Sequence, residues 1–528
     1  MNNYFLQYTL QIFKQFKGTL FILVFLFLKL TAFSQGHIQI DNSDLLTTVP
    51  QNGKIVKLLK GHVQFHQQDV IMNCDSAYLY SEENTMKAFG HVHIRQGDSL
   101  NIFGETLDYD GNNKKAILNN NVSMLSGKMR LVTDRLDYDL NTKQGFYTHG
   151  AVITDEDNKL TSLRGYFFAA SKDMFFKTNV VLTNPDFKML CDTLQYNLNS
   201  RRAIFHGPTN IISKKDSIYA ETGWYHTPSG EAHFGKNAHI QSSGQVLYGD
   251  SIIYNRKKAT GMSFGNVKIV DTGQRMIIIG DAAEHFQKLK KTFITGKVLA
   301  TKLMDNDTMH LTADSLWSEY DKTGVYKILR GFHHAKIFSR EFQAKCDSLR
   351  YSFVDSTIDM KVDPVFWFGT YQASAEHIII FTKRNKISKA NLYKSAFLLM
   401  PEDSIRYSQV KGRDMVGYFK DNELSEVIVN GNGESVYYVK DDNKAYIGAN
   451  RIVSSNIKIN VKNRKIGRIN FQRDPDAKLT PINKSDPHDL LLPGFKDRNS
   501  ERPKNVHDLY GGVVSIPFKS KAKIESAP

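Results

Sequence analysis

Ten carboxylates recur along this chain at one position of a repeated motif: Asp75, Glu105, Asp134, Asp192, Glu221, Asp250, Asp281, Asp314, Asp347 and Glu376. Carboxylates in series can ligate calcium, and a pair at one defined separation can cleave a glycosidic bond. Catalysis needs one special pair, whereas these recur alike and without a distinctive partner. A repeated structural role, bonding backbone amides at a bend, accounts for them better. His91 and His93 share a strand face and His333 adjoins His334, but no third metal ligand is indicated. Cys74, Cys191 and Cys346 each stand just before the acidic residue. At two strands per repeat and ~4.8 Å per strand, Cys74 and Cys191 lie roughly 38 Å apart. A disulfide tolerates about 7 Å between Cα atoms, so the thiols are small packing residues. The sequence has no Cys-x-x-Cys, Gly-x-Ser-x-Gly, His-Glu-x-x-His or phosphate loop. It offers no catalytic, cofactor or metal site, and the reading is not an enzyme.

The elements that carry these residues follow from their spacing. The full motif is small-Asp-hydroxyl-apolar-x-aromatic, as in Cys191-Asp192-Thr193-Leu194-Gln195-Tyr196 and Gly249-Asp250-Ser251-Ile252-Ile253-Tyr254, with a degenerate copy at Ser162-Leu163-Arg164. Marks at 105, 134, 163, 192, 221 and 250 are 29 residues apart. A fixed period of that size means stacked units, each burying its apolar face against its neighbours. Between the marks comes Gly-x-Val, as Gly61-His62-Val63, Gly90-His91-Val92, Gly265-Asn266-Val267 and Gly296-Lys297-Val298. The flanking residues alternate, and turn formers such as Asp110-Gly111-Asn112-Asn113 separate the runs. Each repeat therefore reads as two antiparallel strands joined by a hairpin. A small residue midway in both strands marks a bend.

Strands that bend make two facing sheets. The fold class is all-β: an extended antiparallel β-jellyroll with a V-shaped trough, in two or more stacked modules. Parity places Val63, Phe65, Val92, Ile94, Leu107, Tyr109, Val122, Met124, Leu136, Tyr138, Leu194, Tyr196, Ile252 and Tyr254 in the trough. These are the candidate lipid-groove residues. Net charge is +15, and much of it sits at hairpin turns. Lys114, Lys115, Arg201, Arg202, Arg256 and Lys257 are candidates for an anionic head group. Solvated turns that discourage sheet-edge aggregation are the plainer account of the same lysines. Nucleic acid is a poor partner, because the aromatics fall at buried parity.

The ends differ in substance. Lys14 and Lys17 precede an apolar run from Thr19 to Phe33, and Ala32-Phe33-Ser34 offers a small-x-small cleavage site. That describes a secretory signal peptide over 1–34, with an uncleaved anchor as the rival. The repeats occupy 36–385. From about Lys386 the spacing loosens, with motif copies at Gly412-Arg413-Asp414-Met415 and Ala449-Asn450-Arg451-Ile452 and a turn at Asn430-Gly431-Asn432-Gly433. Residues 388–473 read as a C-terminal β module. Residues 474–528, with seven prolines and scattered bases, read as a tail that is mobile unless it docks.

On these motifs the chain resembles the OstA-like family, which contains LptA and the N-terminal domain of LptD. The resemblance rests on Gly90-His91-Val92-His93-Ile94 leading into Gly104-Glu105-Thr106-Leu107-Asp108-Tyr109, and on its later copies. It implies a jellyroll that carries lipopolysaccharide, with lipid A acyl chains between the sheets. It further implies a periplasmic place, outer-membrane associated or not, in a bridge between LptC-like inner-membrane and LptD-like outer-membrane components. Head-to-tail self-association would extend such a bridge. Two other readings stand beside it: a transmembrane β-barrel, and a secreted parallel β-solenoid that binds or cleaves polysaccharide.

Overall fold

The computed structural model describes residues 36–510, apart from 52, 99, 215, 243, 305–306, 326, 385 and 463–464. The expected signal peptide and residues 511–528 of the tail lie outside the described residues. The protein is all-β, and the described residues form 34 strands whose ladders are antiparallel. That pairing excludes parallel coils. Contacts divide the chain into two units, Met1–Pro185 with Thr193–Asn199, and Asp186–Asp192 with Ser200–Pro528.

In the first unit, successive strands Lys54–Gln67, Val70–Tyr80, Thr85–Gln96, Leu100–Asp110, Lys115–Ser126 and Met129–Asp139 pair in sequence order. Each of these ladders breaks once near its middle. Between Thr85–Gln96 and Leu100–Asp110 the pairing steps from Phe89↔Thr106 to Val92↔Gly104. The skipped residues Gly90 and His91 have φ of +76° and +42°. Two consecutive left-handed residues turn the strand sharply, so its halves join different sheets. Alternation then carries through the bend: Met86, Ala88, Val92 and Ile94 are all buried between the sheets. Arg95 and Lys128 point to solvent. A packed apolar interior with charges outside is the inverse of a membrane barrel.

The degenerate motif near Leu163 marks a place where strands break instead of bending. Four short strands, Gln144–Tyr147, Ala151–Asp155, Asn158–Ser162 and Arg164–Phe168, replace two long ones. The second unit repeats the bent-strand pattern and has a similar break at Thr357–Lys361, Val365–Phe368, Tyr371–Ser374 and His377–Lys383. Its interior is an apolar cluster that includes Ile294, Leu316, Leu349, Phe366, Leu392, Met415 and Ile457.

The loosened spacing beyond residue 386 has a direct cause. Strands Lys386–Pro401, Tyr407–Lys420, Glu423–Lys440 and Tyr446–Lys462 are 14 to 18 residues long, against 11 to 13 in most of the bent-strand repeats before them. Two expectations here are corrected. Asn430-Gly431-Asn432-Gly433 is the mid-strand bend of Glu423–Lys440, with Gly431 and Asn432 at φ +79° and +52°, and not a turn. Ala449-Asn450-Arg451 is not at a bend; the mid-strand register shift in Tyr446–Lys462 falls at Ser454 to Asn456, opposite Asn430 and Gly433.

The segment after residue 473 is docked over its described length. Asp476–Pro481 pairs with Tyr446–Lys462. Leu490 and Leu492 pack on Phe397, Leu399, Val436, Tyr438 and Ala449, while Leu398 and Met400 face the inter-sheet core. Two glutamines hold the backbone of this strap. Gln409 accepts from the Leu492 amide at 2.9 Å and donates to the Leu490 carbonyl at 3.3 Å. Gln372 accepts from the Arg498 amide at 2.8 Å and donates to the Lys496 carbonyl at 2.7 Å. The Arg498 guanidinium donates twice to Glu501, each at 2.8 Å, and pairs with Asp363 at 3.0 Å. Lys345 also pairs with Glu501.

Candidate functional site

The motif carboxylates stand at the bend. Their partners are side chains of the second left-handed residue of a neighbouring bend, more than backbone amides. Asp75 Oδ2 meets His91 Nδ1 at 2.8 Å, Asp250 accepts from Asn266 at 2.8 Å, and Glu105 accepts from Asn121. Further along, Glu221 accepts from Asn237 at 2.6 Å and Asp314 meets His334 at 2.9 Å. Asp414, one position after the acidic place of its motif copy, bonds a backbone amide, that of Lys394, at 3.1 Å. The glycine is required twice over. Gly265 has φ +68°, and a Cβ there would lie 2.5 Å from Asp250 Oδ2.

The cysteines are free and buried beside these carboxylates. Burial first, and then the adjacent Asp75, Asp192 or Asp347, pushes each thiol up to about 12. Thiolate is what reacts, so these groups are inert near neutrality.

Above the bend lies the expected trough. Of its fourteen candidate residues, all but Tyr254 are at most 3 % exposed; Tyr254 is half-buried. The two sheets meet on their own side chains, and the interior is closed.

The closure is polar, and it lies at the lips, where the strand ends of one sheet face those of the other. In the first unit, Tyr109 Oη donates to Gln67 Oε1, and Gln67 Nε2 donates to the Gly111 carbonyl at 2.8 Å. Gln96 donates to the Leu140 carbonyl at 3.1 Å, Lys172 to Ser126 Oγ at 3.1 Å, and Tyr196 Oη to Asp155 Oδ2 at 3.2 Å. The series has one incomplete layer: Tyr138 Oη and Gln96 Oε1 are buried with no partner. In the second unit, Arg256 pairs with Asp186 at 2.7 Å and Gln245 donates to Tyr320 Oη at 2.7 Å. Lys302 lies over the Phe353 ring at 4.4 Å. Lys327 and Asp271 form an ion pair whose side chains are 3 % and 5 % exposed. Burial pushes Asp271 up, but Lys327, the Gln274 amide and Gln245 outweigh it and hold the carboxyl below its usual range. Burial also lowers the Lys327 ammonium, more than Asp271 raises it.

The lips give several head-group candidates other work. Arg256 is held by Asp186, and Lys114 donates to Gln68 across the mouth. The Arg202 guanidinium stacks on Trp224 at 4.3 Å, and Arg201 stands at a hairpin turn, where its backbone carbonyl accepts from the Thr227 amide. Lys115 and Lys257 are exposed. Of the histidines, His93 bonds Asn101 at 2.9 Å and stacks on Phe103 with centroids 4.3 Å apart.

Parity assigned the trough but overlooked the lips. A signal was present. The strands Lys54–Gln67, Thr85–Gln96, Lys115–Ser126, Ala151–Asp155 and Thr260–Asp271 each end on a buried polar residue. Polar residues closing an inward-facing series predict a polar contact there.

No curated protein matches the chain. Residues 35–192, the bent strands with their bend carboxylates and polar lips, match the family model described as OstA-like protein, in agreement with the resemblance carried by the motifs.

Proposed function

We propose that the trough carries the acyl chains of lipopolysaccharide, and that the protein serves in the periplasm as part of a bridge between the two membranes of the envelope. The observation that carries this reading is an apolar interior whose only polar closure among the described residues runs along the lips. Bent strands fix the vertex, so the sheets can part only at the mouth. Each neutral hydrogen bond there contributes about 0.5–1.5 kcal/mol net. Burying one methylene is worth ~0.8 kcal/mol, so an acyl chain of ordinary length offsets the loss of several lip bonds. The unpartnered Tyr138 and Gln96 atoms mark a layer where parting breaks less. Such carriage needs no chemistry in the trough, and its direction would come from an energised partner at the inner membrane.

The test is a photo-reactive residue placed at Leu136, which is fully buried, with Arg130, which is exposed, as the control. Irradiation in cells is expected to give a lipopolysaccharide adduct at position 136 and none at 130. Equal adducts at both, or none at 136 in folded protein, would overturn the reading and leave the interior a closed core.

A further inference from the structure

The residues flanking the bend, the last before it in one strand and the first after it in the next, define a row that runs strand to strand on the outer face of the second unit. In its earlier part, Thr222 opposes Gly235, then Ser251, Phe264, Ala282 and Thr295 follow. These are small, hydroxyl or apolar residues. From residue 377 the same row reads His377–Tyr393–Asp414–Asn430–Asn456–Gln472, each directly opposite the next. The bends beside Tyr393, Asp414 and Asn430 have the same register step as those beside Gly235 and Ser251, so the change of side chains is not imposed by the bend.

Several observations mark this stretch as a site. A groove follows it, with Lys389, Arg413 and Arg473 against Asp414 among its charged residues. Tyr393 is exposed and stacks on His377, with centroids 5.4 Å apart and planes at 28°. Asn391 lines the groove at 9 % exposure. It donates Nδ2 to Tyr393 Oη at 2.8 Å, while its Oδ1 is buried with no partner. A buried acceptor left unpaired costs free energy unless a ligand or water supplies the proton. Asn430 and Asn432 are exposed in the same groove.

We propose that this groove binds an oligosaccharide that carries acidic groups. Amide side chains donate and accept at once, which suits adjacent sugar hydroxyls. The aromatic pair offers a platform for the apolar face of a pyranose. The surplus of cations calls for a carboxylate or similar anion on the sugar. The row advances ~4.8 Å per strand, about the length of one sugar unit, so an extended glycan can lie across the strands in step with it. This site faces away from the trough and does not depend on lipid binding there.

The test titrates lipid-free oligosaccharides into the full chain by calorimetry: a galacturonate hexamer, a neutral cellulose hexamer, and inorganic phosphate as a competitor. The acidic hexamer is expected to bind, with Tyr393→Ala and Asn430→Ala each weakening it about tenfold, the scale of one lost platform or hydrogen-bond pair. Phe264→Ala, on the earlier part of the row, is expected to bind as the parent does. Unchanged melting temperatures show that the variants fold. Should Tyr393→Ala prove unstable, Asn430→Ala carries the test, since its side chain is exposed. Absence of binding, equal binding of the neutral hexamer, or full displacement by phosphate would each overturn the proposal. So would binding seen only with intact lipopolysaccharide, which would make the sugar incidental to the lipid.

Discussion

At the bend, Asp75 meets His91, Glu105 meets Asn121 and Asp250 meets Asn266, one contact copied at a separation of 16 residues. At the lips, Tyr109 meets Gln67, Tyr196 meets Asp155 and Lys327 meets Asp271, at separations of 42, 41 and 56. The bend is periodic, exposed and dictated by backbone conformation. The lips are buried, are held by side chains reaching side chains or backbone carbonyls of the facing sheet, and change from layer to layer after the repeated Gln67–Gly111 and Gln96–Leu140 contacts. A hinge must be the same in every layer if the sheets are to stay in register, whereas a closure can vary layer by layer. The division of labour gives the two sheets one fixed edge and one that single contacts hold shut.

The largest effect expected is at the lips of the second unit. Lys327→Met leaves Asp271 buried without its cation, a loss of about 3–5 kcal/mol in such pairs. The double variant Lys327→Met/Asp271→Leu should recover most of it, because apolar replacement of both partners is often neutral. Urea denaturation of the three proteins checks this; a silent single variant would mean the lips are already open in solution.

Next in size is the hinge. Gly265→Ala forces an L-residue into the left-handed region, about 1–2 kcal/mol, and adds a clash with Asp250. Gly261→Ala, on the same strand with nothing closer than 3.6 Å, is the control and should be near neutral. Equal losses at the two glycines would show that the bend is not special.

A smaller pair of effects separates a made lip contact from an unmade one. Tyr109→Phe removes the bond to Gln67 and should cost about 1 kcal/mol. Tyr138→Phe removes a hydroxyl that has no partner and should cost nothing or stabilise. Matching melting shifts in the two variants would erase the incomplete layer.

The strap gives a pH effect. Arg498 holds Glu501 down at about 2, against 4.5 for the free group, despite opposing burial and with help from Lys345. A carboxyl lowered by folding adds stability that is fully present above the unfolded value and is lost as pH falls through the folded one. Protease protection of residues 486–510 should therefore hold from pH 8 to 5 and decline between about pH 4.5 and 2. Because Glu501 is about one-third exposed, solvent screening keeps this effect modest. Smallest of all is Asp75→Asn: the carboxylate is 59 % exposed and its His91 partner 92 %, so the melting temperature should barely move.

Much of the fold was legible because the repeat states it many times. Alternation named Leu107, Leu136 and Leu194 as interior, and they are 1 %, 0 % and 0 % exposed. The Gly-x-Val mark located the bends at Gly61, Gly90, Gly265 and Gly296, all at positive φ. Where the period stretched, the reading failed, as at Asn430-Gly431-Asn432, because longer strands moved the bend away from the expected count. The lips were missed because their partners lie more than forty residues apart, farther than one repeat, so no pattern within a repeat pairs them.

The sequence by itself determined the strands, the bends and the inward face, since these depend on local backbone preference and a period of two. It also determined that the three thiols stay apart, because their register fixes their separation. Only the tertiary structure decided that the trough closes on its own side chains and that polar lips hold it. It likewise decided that residues 486–495 cover Phe397 and Leu399. A five-residue apolar run, Ala396 to Met400, shows that both sheet faces are covered. It cannot say that the chain's own end supplies the cover, because that contact spans some ninety residues and is set by packing rather than by any local pattern.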